Sequence, residues 1–142
     1  MKLVKHLLDS KGHDVISVAP DSSVFDAIKL MADRLVGSLL VMNDEELRGI
    51  VTERDYARKV IIKGRSSETT SVSEIMSTEV LTTSSSQTVN QCMELMTERR
   101  IRHLPVVEDN HVIGMISIGD LVQAIIADQQ EEIEQLESYI SG

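Results

Sequence analysis

The sequence predicts an α+β fold with two β-α-β-β-α repeats that pack through their sheets with pseudo-two-fold symmetry, plus a C-terminal helical extension. Two observations support this prediction. First, a shift of 65 positions (114 − 49) aligns residues 15–60 with residues 80–125 without a gap. Second, the hydrophobic period changes in the same order in both segments. The matched pairs include Leu39 with Leu104, Gly49 with Gly114 and Asp55 with Asp120.

Each repeat begins with a short apolar strand candidate, at residues 15–18 and 80–83. A helix start follows in both, because Ser23-x-x-Asp26 and Thr88-x-x-Gln91 fit the capping box. An apolar stripe at helical spacing comes next, and Cys92 lies on it as a packing residue. Two further strands and a second helix complete each unit. The second helices are expected at residues 53–62 and from residue 119 onward.

These elements divide the chain into four segments. Short apolar lead-ins, Val4-x-x-Leu7-Leu8 and Val72-x-x-Ile75-Met76, precede the repeats, and we expect each lead-in to belong to the repeat that follows it. The predicted boundaries are residues 1–62 for the first repeat, 63–71 for a polar linker, 72–127 for the second repeat and 128–142 for the C-terminal extension.

Composition narrows the function classes. The formal net charge is −9, and only three residues are aromatic, so a nucleic-acid surface of clustered cations and stacking rings is not expected. One cysteine excludes an internal disulfide framework and suits a reducing compartment. No apolar run approaches membrane-spanning length, and the N-terminus has no signal-peptide pattern. We therefore expect a soluble cytoplasmic protein that binds neither nucleic acid nor membrane.

The second helix of each repeat begins with a hydroxyl and a carboxylate, in Thr52-x-x-Asp55 and Ser117-x-x-Asp120. One interpretation is a capping box, in which both side chains bind helix N–H groups. The other is a sugar site, because a carboxylate at a helix start can accept hydrogen bonds from a ribose diol. A glycine precedes each motif by three positions, which a cap does not require, so we favour the sugar site.

The doubled lead-in, the capped helix, the Pro105-Val106 strand and the repeated Gly-h-h-Thr/Ser-x-x-Asp motif resemble the cystathionine-β-synthase (CBS) domain. The resemblance is to a tandem pair, or Bateman module, and runs from Lys2 to about Ala127. It implies a non-catalytic regulatory module that binds adenosine-containing ligands in clefts between the repeats. Candidate ligands are AMP, ADP, ATP, NAD(H) and S-adenosylmethionine.

The resemblance also implies which residues bind the ligand. In the family, the Asp of the helix-start motif holds the ribose hydroxyls, its Thr or Ser contacts ribose or phosphate, and basic residues before the Pro-Val strand face phosphate. The first strand grips adenine through its backbone. Carried over by position, these residues are Thr52, Asp55, Ser117 and Asp120 at the ribose, Arg102 and His103 at the phosphate, and Asp14, Val15, Ile16, Glu79, Val80 and Leu81 at the adenine.

The first repeat departs from this pattern. It has Gly37 and Ser38 where the second repeat has Arg102 and His103, so two equal sites are not expected. Arg54 is the nearest candidate for a phosphate cation there. We interpret the neighbouring pair at positions 58 and 59 as ordinary surface charge.

Arg102 and His103 favour a phosphate-bearing ligand over cationic S-adenosylmethionine, and the scarcity of other cations favours AMP, ADP or NAD(H) over ATP. No metal site is expected, because the histidines lack ligand spacing. Two alternatives stay open: a nucleotide hydrolase using His103 and Asp120, or a structural dimerisation module with vestigial sites. The sequence has no nucleophile elbow, Gly-rich phosphate loop or HExxH motif, so we do not expect an enzyme.

The C-terminal extension carries an apolar seam with alternating spacings of four and three, typical of helices that pair. The helix either covers its own core or meets a partner helix across a homodimer axis, which we favour. A separate effector protein, which the sequence does not identify, would respond to the ligand. The seam consists of Val122, Ile126, Gln129, Ile133, Leu136 and Ile140.

Overall fold

The computed structural model describes residues 2–141, which divide into two compact units. The first-repeat unit contains residues 15–80 and 110–112. The second-repeat unit contains residues 2–14, 81–109 and 113–141. Both units combine helices with strands, and the predicted α+β class is confirmed.

The helices and strands follow the predicted order, with differences at the first strand of each repeat and at the second helix of the first repeat. A π-helical segment, Ala57–Ile61, continues α3, and a 3-10 turn covers Val72–Glu74. The elements are α1 Val4–Lys11, β1 Ser17–Val18, α2 Val24–Arg34, β2 Ser38–Asn43, β3 Glu46–Thr52, α3 Glu53–Tyr56, α4 Val89–Arg99, β4 His103–Glu108, β5 His111–Ser117 and α5 Ile118–Ser141.

The first-repeat unit contains a three-stranded sheet in the order β1-β2-β3. β1 is parallel to β2, and β2 is antiparallel to β3 with a bulge at Val41/Met42. Ser23 caps α2 by accepting the Asp26 N–H at 3.0 Å, as its spacing predicts. β3 therefore ends at Thr52, directly before the start of α3 at Glu53.

The second-repeat unit is built on the β4–β5 hairpin. Its two-residue turn, Asp109-Asn110, has positive φ at both positions, which is the conformation that matches the twist of paired strands. The strand expected at residues 80–83 is reduced to one bridge, between Thr83 and Val106. α5 continues without a break through the predicted boundary at residue 127.

The two lead-ins pack in the opposite repeats from the ones that follow them. Val4 and Leu8 of α1 are fully buried in the core of the second-repeat unit, with Leu104 and Ile116. The second lead-in is buried in the core of the first-repeat unit. Chain order does not predict this packing, because the apolar pattern of a lead-in indicates burial without indicating which repeat surrounds it. The two buried residues of the second lead-in are Val72 and Ile75.

α5 is buried only along its first part, through Leu121 and Ala124. From residue 129 to residue 141 every side chain is exposed. This part of the helix does not cover the core of its own chain, so that alternative fails for the C-terminal extension. Across residues 2–141, no helix combines the length and the apolar character needed to cross a membrane.

Candidate functional site

In the second-repeat unit, β5 passes directly into α5, and the predicted motif lies at this junction. The Ser117 N–H donates to Asp120 Oδ2 at 2.8 Å, and the Asp120 N–H donates to Ser117 Oγ at 3.0 Å. This reciprocal pair is a capping box with Asp in the third helical position. The capping interpretation therefore describes a real role of both side chains.

A lysine that the motif does not contain also reaches Asp120. Lys11, at the end of α1, places Nζ 2.7 Å from Asp120 Oδ2 and donates to the Met115 carbonyl at 2.6 Å. Partial burial alone would raise the pKa of Asp120, but hydrogen bonds from Lys11 and the Ser117 N–H outweigh it and lower the pKa. The carboxylate is therefore ionised at neutral pH.

Two further basic residues lie at the start of β4, and one of them, His103, is close enough to Asp120 for the carboxylate to affect its pKa. His103 begins β4 and is partly buried, and burial lowers its pKa; Asp120 opposes that shift, while Lys11 and Arg102 add to it. The Arg102 carbonyl accepts the Ile118 N–H at 2.9 Å, which ties the start of β4 to the start of α5. We call Lys11, Arg102 and His103 the basic cluster.

The first-repeat unit repeats the cap. The Thr52 N–H donates to Asp55 Oδ2 at 3.0 Å, and the Asp55 N–H donates to Thr52 Oγ1 at 3.1 Å. Lys59 Nζ lies 3.2 Å from Asp55 Oδ1 and donates to the Ile75 carbonyl at 2.8 Å. Lys59 is therefore more than surface charge, and it contacts Asp55 where Arg54 was the expected cation. Arg54 is exposed on the first turn of α3.

The residues predicted to hold adenine fall in both units. Asp14 and Glu79 are exposed, and the other four are partly buried. The Ile16 carbonyl accepts the Leu40 N–H at 3.3 Å, so it is engaged in the sheet. Leu81 packs against the core of the second-repeat unit. The remaining two predicted adenine residues are Val15 and Val80.

The glycine that precedes each motif has a packing reason. A Cβ on Gly49 would lie 2.6 Å from the Ser77 carbonyl oxygen, and a Cβ on Gly114 would lie 2.6 Å from Leu8 Cδ2. Each glycine makes room for a lead-in segment. These glycines therefore do not distinguish a sugar site from a helix cap, and the side chains of the motif have to decide between the two.

Sequence reasoning missed both lysines for different reasons. Lys59 is four residues after Asp55 on one helix, and this spacing could have indicated the pair. Lys11 and Asp120 are 109 positions apart, and only the exchange of lead-ins brings them together. A groove of about 630 Å³ beside α5, lined by Lys2, His6 and Glu132 among others, contains none of the predicted nucleotide residues.

Other reactive groups have structural roles. Cys92 is buried on α4, and burial raises the pKa of its thiol, as expected for a packing residue. Within residues 2–141, no three His, Cys, Asp or Glu side chains come together in a group that could hold a metal ion.

Comparison with known sequences identifies the family. The family model of the CBS domain matches residues 4–62 and 72–127. This chain belongs to the CBS domain family. As a CBS pair it is 46% identical over 127 residues to the mitochondrial CBS domain-containing protein CBSX3 of Arabidopsis thaliana, covering 86% of this chain. The alignment spans 62% of the length of CBSX3.

Solved structures agree with this assignment. A CBS-domain protein from Burkholderia ambifaria is 50% identical, with a TM-score of 0.83 over 90% of this chain and 96% of that chain. The CBS domain pair of protein MJ0100, solved with 5′-methylthioadenosine and S-adenosyl-L-methionine, is 24% identical with a TM-score of 0.76, over 90% of this chain and 98% of that chain. At that identity, MJ0100 shows a shared fold.

Proposed function

We propose that this CBS pair is a non-catalytic sensor that binds a phosphate-bearing adenosine compound and signals to a partner by a conformational shift. The observation that carries the proposal is the basic cluster beside ionised Asp120. A carboxylate at a helix start can accept hydrogen bonds from a ribose diol. Cations next to it suit the phosphate on the same sugar.

Capping and ribose binding are compatible at Asp120. The cap and the Lys11 contact both use Oδ2. A carboxylate has two oxygens and about four acceptor positions in all. Asp120 can therefore hold the start of α5 and accept ribose hydroxyls at the same time. At Asp55 both oxygens already have partners, because Thr52 donates to Oδ2 and Lys59 lies 3.2 Å from Oδ1, so fewer acceptor positions remain for a ribose.

The charge of the basic cluster favours AMP, ADP or NAD(H). S-adenosylmethionine would bring its positive sulfonium close to like-charged groups, which is unfavourable. ATP would bring more negative charge than the cluster can match, because the lowered pKa of His103 leaves that side chain neutral at pH 7. We also propose that the first-repeat site, with Gly37 and Ser38 at the corresponding positions, binds phosphate more weakly.

Adenine contacts stay part of the proposal in the positions given by the family pattern. They are the backbone of Asp14, Val15 and Ile16 and the backbone of Glu79, Val80 and Leu81. We further propose that the chain is a cytoplasmic homodimer, and that a separate effector protein responds to its ligand-bound state. The compartment is tested by fractionation, since the relative CBSX3 is named as mitochondrial.

A thermal-shift screen with AMP, ADP, ATP, NAD(H) and S-adenosylmethionine tests the proposal. A ligand at a hundred times its Kd adds about 2.7 kcal/mol to stability. For a chain of this size that is a rise in Tm of about 5–10 °C. Asp120→Asn should abolish most of the rise with AMP. Thr88→Ala is the matched control, because it removes a helix cap at α4 away from the site.

If AMP raises the Tm of the Asp55→Asn/Asp120→Asn double variant as much as that of the unaltered protein, both carboxylates act as helix caps only. No shift with any nucleotide in the unaltered protein would instead support the vestigial-site alternative. Release of phosphate or adenosine from AMP or ATP by the purified protein, measured by chromatography, would contradict the non-catalytic part and favour a hydrolase.

The role of Lys11 can be tested by comparing AMP with adenosine. If Lys11 helps bind phosphate, Lys11→Met should lower the affinity for AMP by about ten-fold or more, because a charge-assisted hydrogen bond contributes about 1.5–3 kcal/mol. Adenosine affinity should change much less. Equal losses for the two ligands in calorimetric titrations would show that Lys11 only positions Asp120.

A further inference from the structure

α5 presents an apolar face, interrupted by Gln129, that its own chain leaves largely exposed. Val122, Ile126, Ile133, Leu136 and Ile140 are 42–83% exposed, although their spacing places them on one side of the helix. An exposed apolar stripe of this length is typical of an interface. A helix that projects without tertiary contacts is also only marginally stable in water. The face therefore requires a partner surface.

The charge of α5 restricts that partner. Residues 118–141 contain six acidic residues and no lysine or arginine. Glu132 and Glu137 border the apolar stripe, whereas Glu131 and Glu134 lie on the opposite side of the helix. Two copies of α5 packed against each other would place glutamates of one copy close to glutamates of the other, which is unfavourable. The partner surface should therefore be apolar and basic.

The corresponding helix of the first repeat has those properties. Ile61 and Ile62 are 57% and 75% exposed, and Ile61 occupies the same repeat position as Ile126. Residues 53–65 contain five basic and two acidic residues. Duplication has therefore kept an exposed apolar position on both helices and given them opposite charge.

Two of these five cations already have acidic partners within the first-repeat unit. Lys59 contacts Asp55, and Arg65 forms a 2.6 Å ion pair with Glu74. Arg58 and Lys63 are both exposed and flank the exposed pair Ile61-Ile62. They are the cations best placed to meet Glu132 and Glu137.

We propose that the apolar face of α5 in one copy packs on residues 53–65 of a second copy, with Glu132 and Glu137 opposite Arg58 and Lys63. The proposal rests on the homodimer proposed above and specifies its surface. Every copy carries both the acidic and the basic face, so two copies can form the contact twice. Opposite charges at the rim would select this pairing over α5 against α5.

Sedimentation equilibrium of the full chain tests the surface by charge reversal. The unaltered protein should be a dimer. Glu132→Lys/Glu137→Lys and, separately, Arg58→Glu/Lys63→Glu should each weaken the dimer by about ten-fold or more, because they create like-charged contacts. Combining all four substitutions should restore it. Glu131→Lys/Glu134→Lys changes charge equally on the opposite side of α5 and should leave the dimer intact.

Circular dichroism and urea unfolding establish that each variant is folded. A monomeric unaltered protein at all concentrations would overturn both the homodimer and this surface. A dimer that survives both reversals, or that the control weakens equally, would overturn the surface alone. Failure of the four-substitution variant to regain the dimer, when each pair alone has lost it, would also overturn the direct pairing of these charges.

Discussion

At the scale of single residues, Gly49 and Gly114 allow close approach of the lead-ins. The Gly49 neighbour is a backbone oxygen, and Ser77 also exchanges two 2.9 Å hydrogen bonds with Ile50, so it cannot move freely. The Gly114 neighbour is the end of the Leu8 side chain, which can adjust. The two glycines should therefore differ in their tolerance of a methyl group.

We expect Gly49→Ala to lower the free energy of unfolding by about 1–3 kcal/mol, in the range of overpacked cores. Gly114→Ala should lower the free energy of unfolding by a smaller amount. Urea unfolding of the two variants provides the comparison. A double-mutant cycle of Gly114→Ala with Leu8→Ala should show less than additive loss, since shortening Leu8 makes room for the methyl group. Additive losses would argue against this contact.

His103 predicts a specific pH dependence of stability. Its pKa in the folded chain lies below the ordinary value of 6.5, chiefly because of burial. As pH falls through 6.5, the unfolded chain takes up a proton that the folded chain does not, so stability decreases. We expect His103→Gln to flatten the fall in Tm between pH 7.5 and 5.5. A steeper fall in His103→Gln would contradict the lowered pKa.

Local spacing predicted some of these residue roles and not others. The caps at Ser117 and Thr52 depend on side chains three positions apart, so a four-residue pattern is sufficient. The Lys11–Asp120 contact depends on where α1 packs, which no local pattern contains. The basic cluster was therefore predicted only through Arg102 and His103, which a family resemblance supplied.

At the scale of elements, the lead-ins are the most consequential feature. Leu8 and Ile75 are each at most 1% exposed. Leu8 is part of the core of the second-repeat unit, and Ile75 is part of the core of the first-repeat unit. We expect Leu8→Ala and Ile75→Ala each to lower the free energy of unfolding by about 2–5 kcal/mol, as for buried aliphatic residues in general. Urea unfolding measures the loss, with the exposed Lys5→Ala as control. A loss below about 1 kcal/mol would mean that the lead-in is dispensable.

Elements with strong periodicity were predicted well, and short ones were not. α2 begins at the predicted Ser23 cap and α4 at the predicted Thr88-Gln91 capping box, and both helices carry an apolar stripe. The first strands, expected over four residues, shrink to Ser17–Val18 and to a single bridge at Thr83. A short apolar run indicates burial, but its hydrogen bonds depend on a neighbouring strand that is distant in the sequence.

At the scale of the whole molecule, charge is the property that composition fixes most directly. Among 142 residues there are 23 acidic and 14 basic ones. We expect no binding of a labelled single-stranded oligonucleotide at about 0.15 M salt, because affinity for nucleic acid comes largely from neutralised phosphates. Fluorescence anisotropy is the measurement, with free AMP in a separate titration. Salt-dependent oligonucleotide binding would contradict the exclusion of nucleic acid.

The exchange of lead-ins has a consequence for the origin of the chain. The lead-in of each repeat packs in the core of the other repeat, so neither repeat carries the lead-in that completes its own core. A one-repeat ancestor with this pattern would have needed to swap arms with another molecule to become stable. Fusion of two such genes would have fixed the exchange of segments within one polypeptide. Two fragments cut at residue 66 should consequently be unstable apart and recover a folded state only when expressed together.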